Sequence, residues 1–495
     1  MRYQNAPTVA GVWITLLAML FFSPTMFAEN PAFTHGAPTP YIDVISPTAA
    51  RVNGPGFILI LDGAGFRPDA EVNFQIGSTT RRLRPVVVNS SELATYIPSS
   101  FLTQAATATV TVLNPQSQGL VGISNPALLS ITLPTSTVAF NQTEITLGTF
   151  VYAIVTADFN GDGKPDLAVS EPCSQDPTCN TYNGSVAIFL GNGDGTFTAA
   201  ASPAVNQYPS ALAVGDFNGD GNTDIAVANA DGPAVTILLG DGHGGFTAAP
   251  SSPAVGVDPD SIAVGDLNGD GKLDLVVSCF DSTNVSVLLG NGDGSFTPAA
   301  SPVVGSEAQN VWLQDLNRDG KLDLVVGTSF APAVNILLGR GDGTFDAAPS
   351  PPAPTAPFAV GDVNRDGKPD LVFAEGNVPS FAEVTISDAL GEGNGLFRTG
   401  PTSPVLDAEF SGRVIADLNG DGKLDIAGTV GMPIEGFYFL LGDGHGTFNL
   451  TNSLAFGNMG NGPTVAADFN GDGRMDLAAV SEDNGGGVAI LLQQP

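Results

Sequence analysis

Basic residues are scarce in most of this chain. Across residues 141–495 eleven Lys and Arg stand against 44 Asp and Glu, while residues 29–140 carry a charge of about −1. So acidic a surface excludes a phosphate-binding role and disfavours an anionic membrane, so no nucleic-acid partner is expected. Histidine is limited to three residues and tryptophan to two, and no Gly-x-Ser-x-Gly elbow occurs. A hydrolase or lyase therefore has few candidates for its acid, base or nucleophile. Helical periodicity is never sustained, and charged residues make up only 14% of a chain holding 61 glycines. That combination suits short strands joined by tight turns.

Long apolar runs are missing after the N-terminus. Arg2, the apolar stretch Val9–Phe22 and Ala28 read as a signal peptide over 1–28, with a linker over 29–41. The alternative is an uncleaved anchor, although the run is short for a span. The expectation is export to the extracellular space, the cell surface or the periplasm, with no membrane insertion after cleavage. Cysteine is limited to three residues. In an exported chain Cys173 and Cys179, in one loop, are expected to form a local disulfide, the alternative being two unpaired surface thiols. Cys279 ends the apolar run Leu-Val-Val-Ser-Cys and reads as a buried free thiol.

What the chain has is repetition. Asp-Phe-Asn-Gly-Asp-Gly-Lys-Pro-Asp at 158–166 recurs with small changes from 216, 266, 315, 362, 417 and 468, at spacings of 58, 50, 49, 47, 55 and 51 residues. Each copy lies between apolar runs. A third run follows and ends, in six repeats, in Leu-Gly-x-Gly-x-Gly-x-Phe, from 190, 239, 289, 338, 390 and 441. Three or four short strands per repeat of about fifty residues is the signature of a propeller blade. These motifs resemble the FG-GAP and VCBS repeats of integrin α-subunit propellers and of bacterial exported proteins. The fold expected is all-β, a seven-bladed β-propeller over 136–495. The seventh repeat lacks the glycine turn, and the strand-like segment 138–147 is expected to complete its sheet and close the ring.

Each loop offers Asp, Asn, Asp and Asp at positions one, three, five and nine, with glycine at six. Calcium takes six to eight oxygens in flexible geometry, which alternating carboxylates on a tight loop supply. The resemblance implies about seven Ca2+ ions, one per blade. It assigns as ligands Asp158, Asn160, Asp162 and Asp166; Asp216, Asn218, Asp220 and Asp224; Asp266, Asn268, Asp270 and Asp274; and Asp315, Asn317, Asp319 and Asp323. In the last three loops they are Asp362, Asn364, Asp366 and Asp370; Asp417, Asn419, Asp421 and Asp425; and Asp468, Asn470, Asp472 and Asp476. Position seven varies, consistent with a backbone-carbonyl ligand there and a free side chain. Arg340-Gly341-Asp342 spells an integrin-recognition tripeptide but lies in one of the glycine turns, and chance explains it better.

Residues 42–134 lack such loops and alternate as strands, at Phe57–Leu61 and Ala108–Leu113, suggesting a small Ig-like β-sandwich ahead of the propeller. Ile45-Ser-Pro47, Gly63-Ala-Gly-Phe66 and Val110-Thr-Val-Leu-Asn-Pro115 resemble the IPT/TIG group, another Ig-like family being the alternative. Arg81, Arg82 and Arg84 read as a solvated strand edge.

A rigid ring with variable loops favours a non-catalytic binding or adhesion module for carbohydrate or protein. The alternatives are a part of a polysaccharide-degrading enzyme, accessory or catalytic, and a structural spacer. The ligand is expected on the face opposite the calcium loops, with Tyr208 and Trp312 as candidate contacts.

Overall fold

The computed structural model describes residues 40–494 apart from 48, 91, 116–120, 133, 136–137, 149, 174–182, 306, 330–332, 352–354, 377–383, 404–409, 431–435, 456–461 and 482–485. The expected signal segment 1–28 and Cys179 lie outside the described residues. Apart from one 3-10 turn at Ser99–Phe101 the described elements are strands. Among them no helix is long and apolar enough to cross a membrane.

Alternating apolar side chains build the N-terminal sandwich. One sheet orders the strands Tyr41–Ser46, Phe57–Ala64, Glu92–Ile97 and Val86–Val87. The other orders Ala49–Arg51, Ala127–Thr132, Ala106–Pro115, Glu71–Ile76 and Thr79–Leu83, with Val121–Ile123 beside the third of these. Leu59, Leu61, Val72, Phe74, Leu93, Val110, Val112 and Ile131 are fully buried between the two sheets. Thr79–Leu83 is an edge strand, as the arginine cluster suggested. Arg82 pairs with Glu71 at 3.0 Å, and Arg81 lies 4.5 Å above the Phe101 ring.

Seven further antiparallel sheets of four or five strands follow, one per repeat. In each, the position-nine aspartate opens the second strand. Five of these strands, such as Asp224–Asn229 and Asp323–Thr328, are buried along their whole length. They are covered on both faces, which is why they read as unbroken Val, Leu, Ile and Ala. In the first four sheets the fourth strands are short and largely exposed, for example Phe246–Ala248, so little unpaired edge faces solvent there.

Apolar seams join neighbouring sheets. Phe159, at position two of the first loop, meets Phe246 of the next sheet's glycine turn edge-on at 5.5 Å. Phe217 meets Phe296 at 5.7 Å in the same way. Phe469 of the seventh loop meets Phe197 of the first sheet at 5.6 Å, so the last sheet packs on the first as the others pack on their successors. Phe140–Thr146 pairs antiparallel with Gly487–Gln493, Phe140 opposite Gln493 and Thr146 opposite Gly487. The segment expected to seal the last sheet does so, and Phe140 stacks on Phe439 of the sixth sheet at 4.9 Å.

Two truncations test this seal. Removing 29–133 leaves the strand Phe140–Thr146 in place and should preserve a single cooperative melt. Removing 29–148 strips it and should broaden the transition and promote aggregation; identical melts would contradict the topology. In the full chain Phe140→Ala should cost about 3 kcal/mol by denaturant unfolding.

Candidate metal centre

Each nine-residue loop is a hairpin wound around its first aspartate. Asp158 Oδ1 accepts the Gly161 N–H at 2.7 Å, and its Oδ2 accepts that of Gly163, also at 2.7 Å. The arrangement recurs at Asp216 and Asp266. Winding this tight needs left-handed backbone at position six, where glycine stands in all seven loops, with φ of +80° at Gly163. Position four is left-handed as well. There the fourth and fifth loops carry Arg318 and Arg365, with φ of +64° and +61°. Positions three and five lean along the turn: Asn160 Oδ1 accepts the Asp162 N–H at 2.9 Å, and Asp162 Oδ1 accepts that of Lys164 at 3.0 Å.

Position nine has a second task. Asp224 Oδ2 accepts the Phe217 N–H from its own loop at 2.8 Å. Its Oδ1 accepts, at 2.7 Å, the N–H of Gly240 at the end of the third strand. The same pair of bonds occurs in every loop, with Gln493 replacing the glycine in the seventh. The glycine is required, because a Cβ at Gly240 would fall 2.3 Å from the Thr223 carbonyl oxygen. Sequence reading gave position nine a ligand role only. The Leu-Gly that ends the third strand in six of the seven repeats is the signal that could have revealed its partner.

Burial without a counter-charge dominates the electrostatics. It pushes the position-nine carboxyls up to about 7 at Asp166, Asp274 and Asp370, about 8 at Asp224, Asp425 and Asp476, and about 6 at Asp323. Neighbouring carboxylates of the same loop push the same way, against the lowering effect of the backbone N–H groups. At position one, Asp216 and Asp417 are raised to about 6, again chiefly by burial.

The position-seven side chain is not free, contrary to expectation. Lys164 reaches Asp162 at 3.1 Å, and Lys272, Lys321, Lys368, Lys423 and Arg474 each pair with the position-five aspartate of their own loops. A cation carried on the chain thus lies against an acidic group in six of the seven loops. Among the described residues no group of three or more His, Cys, Asp or Glu side chains is already gathered to hold an ion. The donor set nevertheless fits a hard cation: its side chains offer oxygen alone, and each carboxylate keeps lone pairs beyond its backbone bonds. Taking an ion requires the position-three and position-five groups to turn from the backbone toward a common centre.

The residues entering the first strands of sheets two, three and four share an unusual backbone. Tyr208, Asp258 and Glu307 have φ of 54°, 55° and 59°. Their carbonyls accept the N–H groups of Ala230, Phe280 and Ser329 from the hairpins after the second strands. Tyr208 meets Tyr152 edge-on at 5.5 Å. A cleft of about 400 Å³ beside it is lined by Asn206, Gln207, Asn229 and Asp231, among others. Trp312 lies elsewhere, half-buried in mid-strand against the Leu316, Val325 and Phe373 seam. The variable segments 377–381 and 482–484 lie outside the described residues. Cys173 and Cys279 are both buried; Cys279 is a free thiol, as expected, and the proposed partner of Cys173 is not described. In the Arg340-Gly341-Asp342 turn Arg340 pairs with Asp346, and Asp342 Oδ1 accepts the Thr344 N–H.

The pH dependence of the metal-free protein follows from the raised carboxyls. The unfolded chain releases these protons near the ordinary aspartate value of about 4, whereas the folded chain holds them up to between 6 and 8. Folding therefore binds protons in that window, and stability falls as pH rises through it. Protein stripped of metal by dialysis should melt at a lower temperature at pH 8 than at pH 5.5; a rising melting temperature would show these carboxyls to be compensated within the protein.

FG-GAP-like repeat models match residues 178–227, 216–277, 276–326, 315–373, 362–428 and 417–479. An FG-GAP repeat matches 150–189, and an IPT/TIG domain matches 40–129. Among curated proteins, the chain is 34% identical over 92 residues to phosphatidylinositol-glycan-specific phospholipase D of Rattus norvegicus, covering 17% of this chain and 11% of that protein. It is 40% identical over 75 residues to cartilage acidic protein 1 of Homo sapiens, covering 14% and 11%, and 35% identical over 103 residues to integrin alpha-PS5 of Drosophila melanogaster, covering 19% and 10%. The chain thus spans about a tenth of the length of these relatives. A solved rhamnogalacturonan lyase of Bacillus licheniformis aligns at 14% identity over 93% of this chain and 91% of that one, with a TM-score of 0.40. The repeat models together span more than half of the chain, which belongs to the FG-GAP-like repeat family and carries an IPT/TIG domain ahead of its repeats.

Proposed function

We propose that this protein is an exported, calcium-loaded, seven-bladed propeller acting as a non-catalytic binding or adhesion module, with a carbohydrate or protein ligand. The observation that carries the calcium reading is the repetition, seven times, of one oxygen-only loop in which buried carboxylates lack enough counter-charge. An ion of charge +2 at each loop offsets that repulsion and brings a flexible set of oxygens together. Magnesium suits the loops less, because it demands stricter octahedral geometry. The local disulfide between Cys173 and Cys179 remains part of this reading, as does release from the membrane after cleavage of residues 1–28.

The ligand surface in this reading is the face opposite the metal loops. Tyr152 and Tyr208 offer an edge-on aromatic pair there, and the left-handed backbone holds Tyr208, Asp258 and Glu307 at equivalent positions of adjoining sheets. Rigid aromatics with polar neighbours suit a sugar or a peptide. Trp312 serves the packing between sheets instead and is left out of this surface.

Calcium binding by the folded state alone should raise its stability by mass action. Excess EGTA at neutral pH should lower the melting temperature and added calcium restore it; an unchanged melting temperature would refute the calcium reading. Asp270→Ala, which removes one loop of seven, should cost less than chelation. For the ligand surface, capture on a glycan array and on immobilised protein panels should weaken in Tyr208→Ala and Tyr152→Ala while calcium-dependent melting persists. Undiminished capture by both variants would move the binding site elsewhere.

A further inference from the structure

The sandwich sits on the face of the ring that carries the metal loops. In the seventh loop, the Thr107 hydroxyl donates to Oδ2 of Asp468, the position-one carboxylate. Gly473, at position six of that loop, is buried under the sandwich. A Cβ there would lie 2.7 Å from the Ile131 carbonyl oxygen and 2.9 Å from the Ala106 nitrogen. In the sixth loop, the Asn419 carbonyl accepts the Thr135 N–H at 2.8 Å, and the Gly420 carbonyl accepts the Thr132 hydroxyl at 3.3 Å. Asn419 is only 5% exposed. In the fourth loop, the Gly320 carbonyl accepts the Asn89 amide at 3.0 Å. Tyr41 and Ala64 add apolar contact, packing with Phe217 and Leu273 at the seam between the second and third sheets.

Two features of this junction bear on the ion. The sandwich's groups take up loop carbonyls and a loop carboxylate, so they grip the loops in one conformation and not the strands beneath. The junction also sets like charges near one another: Glu92 of the sandwich lies close enough to Asp315, position one of the fourth loop, to feel its charge. A cation in that loop converts the repulsion into attraction.

We propose that the metal loops are the docking platform of the sandwich, that cation occupancy of the fourth, sixth and seventh loops and docking are one linked equilibrium, and that Thr107 is a positioning residue for the seventh loop's ion. The inference rests on the calcium reading above. Linkage is reciprocal: calcium tightens docking by the same factor by which docking tightens calcium. Loops three and five show no such hydrogen bond to the sandwich among the described residues and are expected to bind independently of it.

The test uses the full chain, with calcium titration calorimetry and small-angle X-ray scattering on wild type, Thr107→Val and Asn89→Ala. Both substitutions lie in the sandwich outside its buried core and remove no loop ligand. The wild type should be compact in calcium and gain maximum dimension in EGTA as the sandwich leaves the face. Each variant should bind calcium about tenfold more weakly at the docked fourth, sixth and seventh loops, with the third and fifth unchanged, and should open at higher free calcium. Wild type that binds no calcium sinks the calcium reading and the linkage together. Wild type that binds calcium, with both variants matching it in affinity and opening, overturns the linkage alone. So does a wild-type dimension that ignores EGTA.

Discussion

A buried aspartate that accepts two backbone N–H groups, one from its own loop and one from the end of a strand, is the fixed point of every repeat. Without it the loop would have no tie to the third strand, and the glycine turn beyond would have no fixed start. The charge on such a group is costly to bury. The structure meets that cost partly through the two backbone donors and partly through the position-seven cation on the adjacent carboxylate. The remaining imbalance is what the proposed calcium ions would offset, and in that reading stability and metal binding arise from the same carboxylates.

Much of this could be read from the sequence, for a local reason. A nine-residue loop repeated at blade spacing carries its own turn chemistry, glycine at position six and an apolar strand on each side, so loop and blade can both be inferred without tertiary information. The closing strand was readable because Phe140–Thr146 repeats the residue types that follow the glycine turn elsewhere. Cys279, at the end of a run buried on both faces, was likewise predictable.

What escaped was non-local or broke the repeat. Lys164 folding back on Asp162 is a choice of rotamer that residue types alone do not reveal. Trp312 stands where other copies carry small or aliphatic residues, and the sequence could not tell a seam from a face. Asp388 takes a place held by Ile237 and Ile336 in other third strands. Neither of its oxygens finds a hydrogen-bond partner among the described residues, and burial pushes it up to about 8. The seating of the sandwich on the loops depends on single residues, Thr107, Thr132 and Asn89, that have no periodic signature at all.

The pairing of Phe140–Thr146 with Gly487–Gln493 also sets an order of events in biosynthesis. A nascent chain exposes the first of these strands early, and its partner is made only after every intervening repeat. The intermediate sheets can form one by one on their neighbours, but the first strand stays an open edge until the last is released. Such a chain gains from staying unfolded until synthesis is complete, and a chain truncated late in the seventh repeat would leave Phe140–Thr146 without its partner strand.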